Sequence, residues 1–474
     1  MDTFPRLVIH RDALVPHGAF AESQAAYLKP DARSVAELDA LCRDKNIGIV
    51  AHFYMDVELQ GVLSSMTHAQ VHIADSLKMA DVAVKMAEAG MTTIVVLGVD
   101  FMSENVRAIL DAAGHENVEV YRVAAEAIGC SLAESADAPA YDAFLQRAAA
   151  TDNALHVVYI NTSLLTKARA HHTVPTITCT SSNVVKTILQ AAAQVPEVEV
   201  FYGPDSYMGA NLQTMFAQFA QLSDEAIREL HPAHDRASIL ALLDRFHPFQ
   251  HGICVVHHLF GEDVAARVRT EHAEAFHTAH LEVPGEMFAL AVDAQRSGRG
   301  VVGSTSNILG FILDKVAEAL RSDQPVRLPF VLGTEAGMVT SIVKGVQRAL
   351  QASGRDDITV EIVFPVASEA VAEAPESGLG ILPGVAGGEG CSTAGGCATC
   401  PFMKMNDLDA LFTVAERVGT DAEPTLAGYR PRKYTEDVGG QTAASVGSQP
   451  ILHMRHFQQH GVLSDALIGD IRSR

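Results

Sequence analysis

Three of the chain's seven cysteines fall within ten residues, Cys391-Ser-Thr-Ala-Gly-Gly-Cys397-Ala-Thr-Cys400. Glycines at 378, 380, 384, 387, 388, 390, 395 and 396 leave this backbone free to fold closely around a metal or cluster. A surface loop with incidental thiols and a redox-active Cys397/Cys400 pair are the plainer readings. A closed structural zinc site takes four ligands, usually as two pairs, and the chain has no second Cys-x-x-Cys. Three scattered thiolates can instead hold an iron–sulfur cluster and leave one iron open to substrate, as a Lewis-acid catalyst requires. Among the remaining cysteines, Cys130 sits in a turn after a strand, and Cys254 forms a Cys-x-x-His with His257 whose spacing zinc also uses. Cys42 lies in a helical pattern and Cys179 ends a strand, where packing is the expected role.

Polar pairs at i and i+2 are the second chemical signal. His52 and Tyr54, Tyr159 and Asn161, and His280 and Glu282 each close or follow a candidate strand. Side chains alternate along an extended chain, so each pair shares one face. In open α/β sheets ligands bind at the carboxyl ends of strands. A His/Glu pair there can act as an acid–base unit, the carboxylate fixing the imidazole tautomer. With 21 histidines in the chain, any one alone is more simply a hydrogen-bonded or exposed side chain.

The elements that must position these groups follow one grammar: an apolar run of about six residues, a polar or glycine-bearing turn, then an alanine-rich helix. The expected strands lie at 46–54, 92–98, 118–123, 155–161, 176–179, 198–202, 252–257, 301–304, 330–333 and 360–364. Such alternation predicts an α/β fold, parallel sheets with helices on both faces. Thr180-Ser181-Ser182-Asn183 and Ser304-Thr305-Ser306-Asn307 each follow a β-branched strand and open a helix, with Asp75-Ser76-Leu77 a weaker third copy. Repeated units with hydroxyl-rich helix starts point to related lobes around shared ligands. Such starts bind phosphate or carboxylate without a basic residue, although ordinary capping explains any single copy.

Residues 1–35, with Pro5, Pro16 and Pro30, read as an arm over the first unit, and Ser34 with Glu37 as the capping box of the first helix. Segments 136–152 and 222–247 read as acidic amphipathic connectors. The tail beyond 407 reads as a short helix, a polar stretch over 417–449 and a last helix near 461–472. The formal charge of −22 excludes a nucleic-acid or anionic-membrane partner. No apolar run reaches the ~20 residues of a membrane span, and the start does not resemble a secretory signal. Few cysteines in a long chain suit a reducing compartment, so the expected location is cytoplasmic.

Taken together the motifs resemble those of the quinolinate synthase family. The resemblance runs in order from Ile47 to Leu411 through Ala51-His52-Phe-Tyr54, Asp75-Ser76-Leu77, Gly98-Val-Asp-Phe-Met-Ser-Glu104, Tyr159-Ile-Asn161, Cys179-Thr-Ser181-Ser-Asn183, Cys254-Val-Val-His257, His280-Leu-Glu282, Gly303-Ser304-Thr305, Gly333-Thr-Glu335 and Cys400-Pro-Phe-Met-Lys-Met-Asn406. Leu281, Val283 and His258 stand where the family usually has proline, cysteine and an acid.

The resemblance implies three pseudo-symmetric lobes, each giving one cysteine, Cys130, Cys254 and Cys400, to a four-iron, four-sulfur cluster at their junction. It implies condensation of iminoaspartate with dihydroxyacetone phosphate to quinolinate, and an iminoaspartate-supplying enzyme as a possible partner. His52, Ser76, Tyr159, Asn161, Ser181, Ser304 and Thr305 are the implied substrate binders, Tyr54, His280 and Glu282 the acid–base groups, and His257 a pocket residue beside the cluster. The expected division is an arm over 1–33, lobes over 34–128, 129–247 and 248–374, a cluster-binding segment over 375–411, and an extension over 412–474. A disulfide of Cys397 with Cys391 or Cys400 would couple redox state to cluster occupancy. Another iron–sulfur hydro-lyase, or a non-enzymatic iron–sulfur redox sensor, are the alternative functions.

Overall fold

The computed structural model describes residues 3–365 and 399–474, so Cys391, Cys397 and the glycine-rich run before them lie outside the described residues. Among the described residues fourteen strands build three sheets. In chain order they are β1 (Arg6–Ile9), β2 (Leu14–His17), β3 (Ile47–His52), β4 (Val71–Ala74), β5 (Thr93–Leu97), β6 (Glu119–Tyr121), β7 (Ala154–Tyr159), β8 (Thr176–Cys179), β9 (Glu199–Gly203), β10 (Phe246–Pro248), β11 (Phe276–His280), β12 (Gly300–Gly303), β13 (Val326–Gly333) and β14 (Ile358–Val363). A two-residue hairpin, Asp437–Val438 with Gln441–Thr442, stands apart.

The sheet orders are β4-β3-β5-β6, β10-β9-β7-β8 and β12-β11-β13-β14, the last extended by β1 and β2. Numbering strands within each repeat turns all three orders into 2-1-3-4, and every pairing among those twelve strands is parallel. Parallel strands need covered crossovers, and helices such as Ser76–Glu88, Val184–Gln194 and Thr305–Leu320 supply them. β3 and β7 are buried at all six positions, as inner strands covered on both faces must be. This is the multi-lobed α/β architecture that the alternating pattern predicts.

Several expectations are corrected. The arm begins as a hairpin on the third sheet, where β1 pairs antiparallel with β14 and buries Leu7 and Ile9. It covers an edge that would otherwise expose unpaired backbone groups. Its later part, the helix Ala19–Tyr27 and Pro30, reaches the first repeat, where Gly61 approaches the Tyr27 carbonyl. The first long helix starts earlier than the Ser34 box, because Asp31 caps it and accepts from the Ser34 amide at 2.8 Å. Segment 252–257 is no strand. Gly252 gives its carbonyl to the Ser206 amide at 2.8 Å, and a 3-10 turn follows at His257–Leu259. β10 takes the sheet position instead, and the expected lobe limit at 247 falls inside that strand. The polar tail conceals a long helix, Ala443–His460, whose apolar pattern is interrupted by Pro450.

The second sheet contains a sensitive buried base. His156 in β7 places Nε2 2.8 Å from the Tyr141 hydroxyl and Nδ1 3.3 Å from Thr176 Oγ1. Burial alone pushes its pKa from 6.5 down to about 3. The unfolded chain then binds a proton that the folded one refuses, so stability falls as pH drops from 6.5 toward about 3. By about pH 4.5 this ring is expected to contribute a loss of roughly 2–3 kcal/mol. Urea titrations across that range should show a flatter stability–pH curve for His156→Gln than for wild type; equal slopes would refute the assignment.

Candidate active site

The carboxyl ends of the strands in all three sheets open on one cavity, and thirteen of the fourteen residues singled out from the sequence line it. First strands bring His52/Tyr54, Tyr159/Asn161 and His280/Glu282. Turns after second strands bring Ser76, Ser181, Ser304 and Thr305. Segments after fourth strands bring Cys130, Cys254 and Cys400. His257 stands behind this wall, fully buried against Glu282.

Glu282 is the hub. Its carboxylate accepts from the Tyr159 hydroxyl, lies 3.0 Å from His257 Nδ1 and 3.7 Å from His280 Nδ1. The His257 and His280 rings stack with centroids 4.9 Å apart. Burial works to raise the carboxyl, but the two imidazoles and the Tyr159 hydroxyl outweigh it and hold it near 2. Glu282 is therefore ionised at neutral pH. Its charge acts on its neighbours: Glu335 and Asp205 are driven well above the carboxylate range, first by burial and then by Glu282. Tyr54 and Tyr159 are driven up by the same causes. Burial lowers His52 to about 3 and His280 to about 4, so both are neutral.

Backbone amides set the tautomers. The Tyr54 amide donates to His52 Nδ1 at 3.2 Å and the Glu282 amide to His280 Nδ1 at 3.4 Å. Each ring then carries its proton on Nε2, and His280 directs it to Ser181 Oγ at 3.1 Å. The Tyr54 hydroxyl meets Thr334 Oγ1 at 3.1 Å and Thr305 Oγ1 at 3.4 Å. Ser304 is committed to capping, with its hydroxyl 2.7 Å from Asn307 Oδ1. No Lys or Arg is among the described lining residues, so hydroxyls, neutral imidazoles and helix-start amides are the groups that meet an anion.

The three cysteines share one local fold. The carbonyl of each accepts from the amide four residues on, Glu134, His258 and Lys404, at 3.0, 3.0 and 3.2 Å. Amides of the same turns point at the sulfurs: Leu132 and Ala133 at Cys130, His257 at Cys254, Phe402 and Met403 at Cys400. Burial nevertheless pushes the Cys130 thiol up to about 12 and raises Cys254 and Cys400 well above the ordinary thiol range, with Glu282 adding at Cys130 and Cys254 and Glu335 at Cys254 and Cys400. Left alone these thiols stay protonated; only a soft metal group binding tightly holds them as thiolates. Among the described residues the cavity has no fourth cysteine, since Cys42 and Cys179 are buried elsewhere in the core. The set fits an iron–sulfur group with three protein ligands better than closed tetrahedral zinc.

Sequence reasoning gave no role to Glu335, which lines the cavity and accepts from the Cys400 amide, or to the buried Asp205. The available signal was positional: Gly98-Val-Asp100, Gly203-Pro-Asp205 and Gly333-Thr-Glu335 each place an acid two residues after a glycine at the end of a third strand. Asn406 was likewise without a role. It is fully buried, accepts from the Gly98 amide at 3.0 Å, and donates to the carbonyls of Gly98 at 3.3 Å and Met403 at 3.1 Å. It thereby ties the Cys400 turn to the end of β5.

Comparison with known sequences gives the family. The family described as Quinolinate synthetase A protein matches residues 36–361. The chain belongs to that family. It is 52% identical over its whole length to "Quinolinate synthase, chloroplastic" of Nicotiana tabacum, spanning 67% of that protein, and 52% identical to the protein of the same name from Arabidopsis thaliana, again spanning 67%. It is 26% identical to "Quinolinate synthase" of Ehrlichia chaffeensis over 79% of this chain and 87% of that one. The chain thus spans about two thirds of the length of its plant relatives. No helix of the described residues is long and apolar enough to cross a membrane.

Asn406→Ala removes three hydrogen bonds and leaves the buried Gly98 amide unpaired. It is expected to cost about 2–4 kcal/mol and to speed alkylation of Cys400 in metal-free protein. Urea midpoints and iodoacetamide labelling followed by mass spectrometry check both; wild-type labelling rates would show that Asn406 does not hold the turn.

Proposed function

We propose that this chain is a quinolinate synthase that joins iminoaspartate to dihydroxyacetone phosphate, releasing quinolinate, phosphate and two waters. The observation that carries the reading is the convergence of one strand-end pair and one cysteine from each of three equivalent repeats on a single cavity, in a member of this family. Cys130, Cys254 and Cys400 would hold a four-iron, four-sulfur cluster. Bound there, the cluster supplies a Lewis-acidic iron that polarises a substrate oxygen and eases its departure as water.

The rest belongs to the chain. Both substrates are anions, and His52, Ser76, Asn161, Ser181 and Thr305 would receive their carboxylates and phosphate with neutral donors, while Ser304 and Tyr159, whose hydroxyl protons go to Asn307 and Glu282, would shape the walls beside them. Closing the pyridine ring takes one new carbon–carbon and one new carbon–nitrogen bond, and protons must leave carbon and nitrogen while oxygens are protonated to depart. Glu282, ionised and backed by His257, is the carboxylate placed to receive those protons, and its low pKa means that it passes them on rather than keeps them. His280, with its proton on Nε2, and Tyr54, held to two threonines, are suited to deliver them. Glu335 enters as a neutral acid whose environment differs from that of Glu282 by burial without imidazole partners. The five described cysteines are free thiols, which suits the cytoplasm as the place of work.

The test is anaerobic reconstitution with iron, sulfide and EPR measured beside product formation. About four irons per chain and quinolinate are expected from wild type, and loss of both from Cys130→Ala, Cys254→Ala and Cys400→Ala. Glu282→Gln should keep its iron and lose about a hundredfold or more in kcat. Stoichiometric zinc, or iron indifferent to Cys130 and Cys254, would overturn the proposal.

A further inference from the structure

Each repeat shows different side chains to the cavity, yet each secures the backbone behind them with the same device. Gln60 Nε2 donates to the carbonyls of Phe53 and Met55, both at 2.8 Å, on either side of Tyr54. Lys167 Nζ donates to the carbonyls of Ile160, at 3.1 Å, and Thr162, on either side of Asn161. Asn211 Nδ2 donates to the carbonyls of Leu281 at 2.9 Å and Val283 at 2.8 Å, on either side of Glu282. Gln60 and Lys167 are fully buried, Asn211 is 2% exposed, and none of the three lines the cavity.

We propose that Gln60, Lys167 and Asn211 are positioning residues that fix the directions of Tyr54, Asn161 and Glu282; the inference rests on the quinolinate synthase reading. Residues 53–55, 160–162 and 281–283 are turns just past β3, β7 and β11, and in each the carbonyls before and after the central residue converge on one nitrogen. One nitrogen that binds both fixes the peptide before that residue and the peptide after the next one, which sets the shape of the turn and with it the aim of the side chain between them. A hydroxyl has one proton and cannot do this, whereas an amide or an ammonium can. The buried carbonyls also gain the partners that they need beyond the last ladder bond.

The clamps also join the repeats in a ring. Gln60, from the first repeat, also shares one of its two N–H groups with the Gly337 carbonyl of the third, 2.7 Å away. A Cβ on Gly337 would lie 2.8 Å from both the Phe53 carbonyl oxygen and Tyr54 Cα, so only glycine lets that loop rest on Tyr54. Asn211, on helix Ser206–Phe219 of the second repeat, holds the third. Lys167, in the second, faces the Glu104 carboxylate of the first, which accepts from the Leu164 amide at 3.0 Å and the Tyr434 hydroxyl at 2.7 Å. Movement of one repeat would therefore register at another repeat's strand-end pair.

Double-mutant cycles test this. Gln60→Leu, Lys167→Met and Asn211→Leu are each made in wild type and in the matching Tyr54→Phe, Asn161→Ala or Glu282→Gln background. Alone, each clamp variant is expected to keep its iron and lose about ten- to hundredfold in kcat/KM. Added to loss of the clamped group, it should cost less than about threefold, because the side chain being aimed is already changed. Hydrogen exchange at residues 53–55, 160–162 and 281–283 should quicken only at the strand end whose clamp is lost. Additive losses, or wild-type kcat/KM with wild-type exchange, would overturn the inference. Gln60→Leu and Asn211→Leu remove no charge, so they answer the question if Lys167→Met fails to fold. Iron-loaded wild type that forms no quinolinate would refute the functional reading alone; exchange at the three strand ends then decides the clamps by itself.

Discussion

An ionised carboxylate far from water has to be satisfied by neighbours in fixed places, and Glu282 is that carboxylate here. Its oxygens take the Tyr159 hydroxyl and the His257 ring, while His280 lies beside them. Tyr159 comes from the second sheet and His280 from the third, so the charge can be held only when those sheets are seated together. The same charge dictates what surrounds it. Glu335 and Asp205 take the neutral form, and the tyrosine hydroxyls remain protonated donors. Ionised and neutral acids thus lie within one cavity, separated in character by their partners rather than by their chemistry.

The seating follows from topology. A 2-1-3-4 parallel order reverses its direction of succession between the first and third strands, and the crevice at that reversal lies outside the carboxyl ends. Three copies of the order, facing one another, place three reversals around a common centre. First strands deliver the polar pairs, second strands the hydroxyl-bearing turns, fourth strands the cysteines, and the third strand of the third sheet the acid Glu335. The copies differ in which side chain stands at each equivalent position and in what is added to them, such as the β1–β2 hairpin on the third sheet.

An acidic chain that handles anions is no contradiction in such an arrangement. The charge of −22 is spread over the whole sequence, while the cavity is lined by hydroxyls, neutral imidazoles and free amides at helix starts. Fixed dipoles in a poorly hydrated site act strongly on a bound anion without needing a counter-charge of their own.

What the sequence by itself determined is whatever a local period or a short spacing expresses. The apolar runs of β3, β5, β7 and β13, the i, i+2 pairs, the hydroxyl-rich helix starts and the Cys400 turn were legible because each is fixed by neighbours a few residues away. The hairpin on the third sheet, the turn at 252–257 and the helix Ala443–His460 were not. Their conformations depend on an exposed sheet edge, on Ser206 and on packing partners supplied from elsewhere in the chain. The tertiary structure alone decided that His257 backs Glu282, that Asp205 and Glu335 stay neutral, and that Gln60, Lys167 and Asn211 hold the strand ends. Burial and mutual charge, which set these roles, come into being only when residues more than a hundred positions apart, such as Tyr159 and Glu282, are brought into contact.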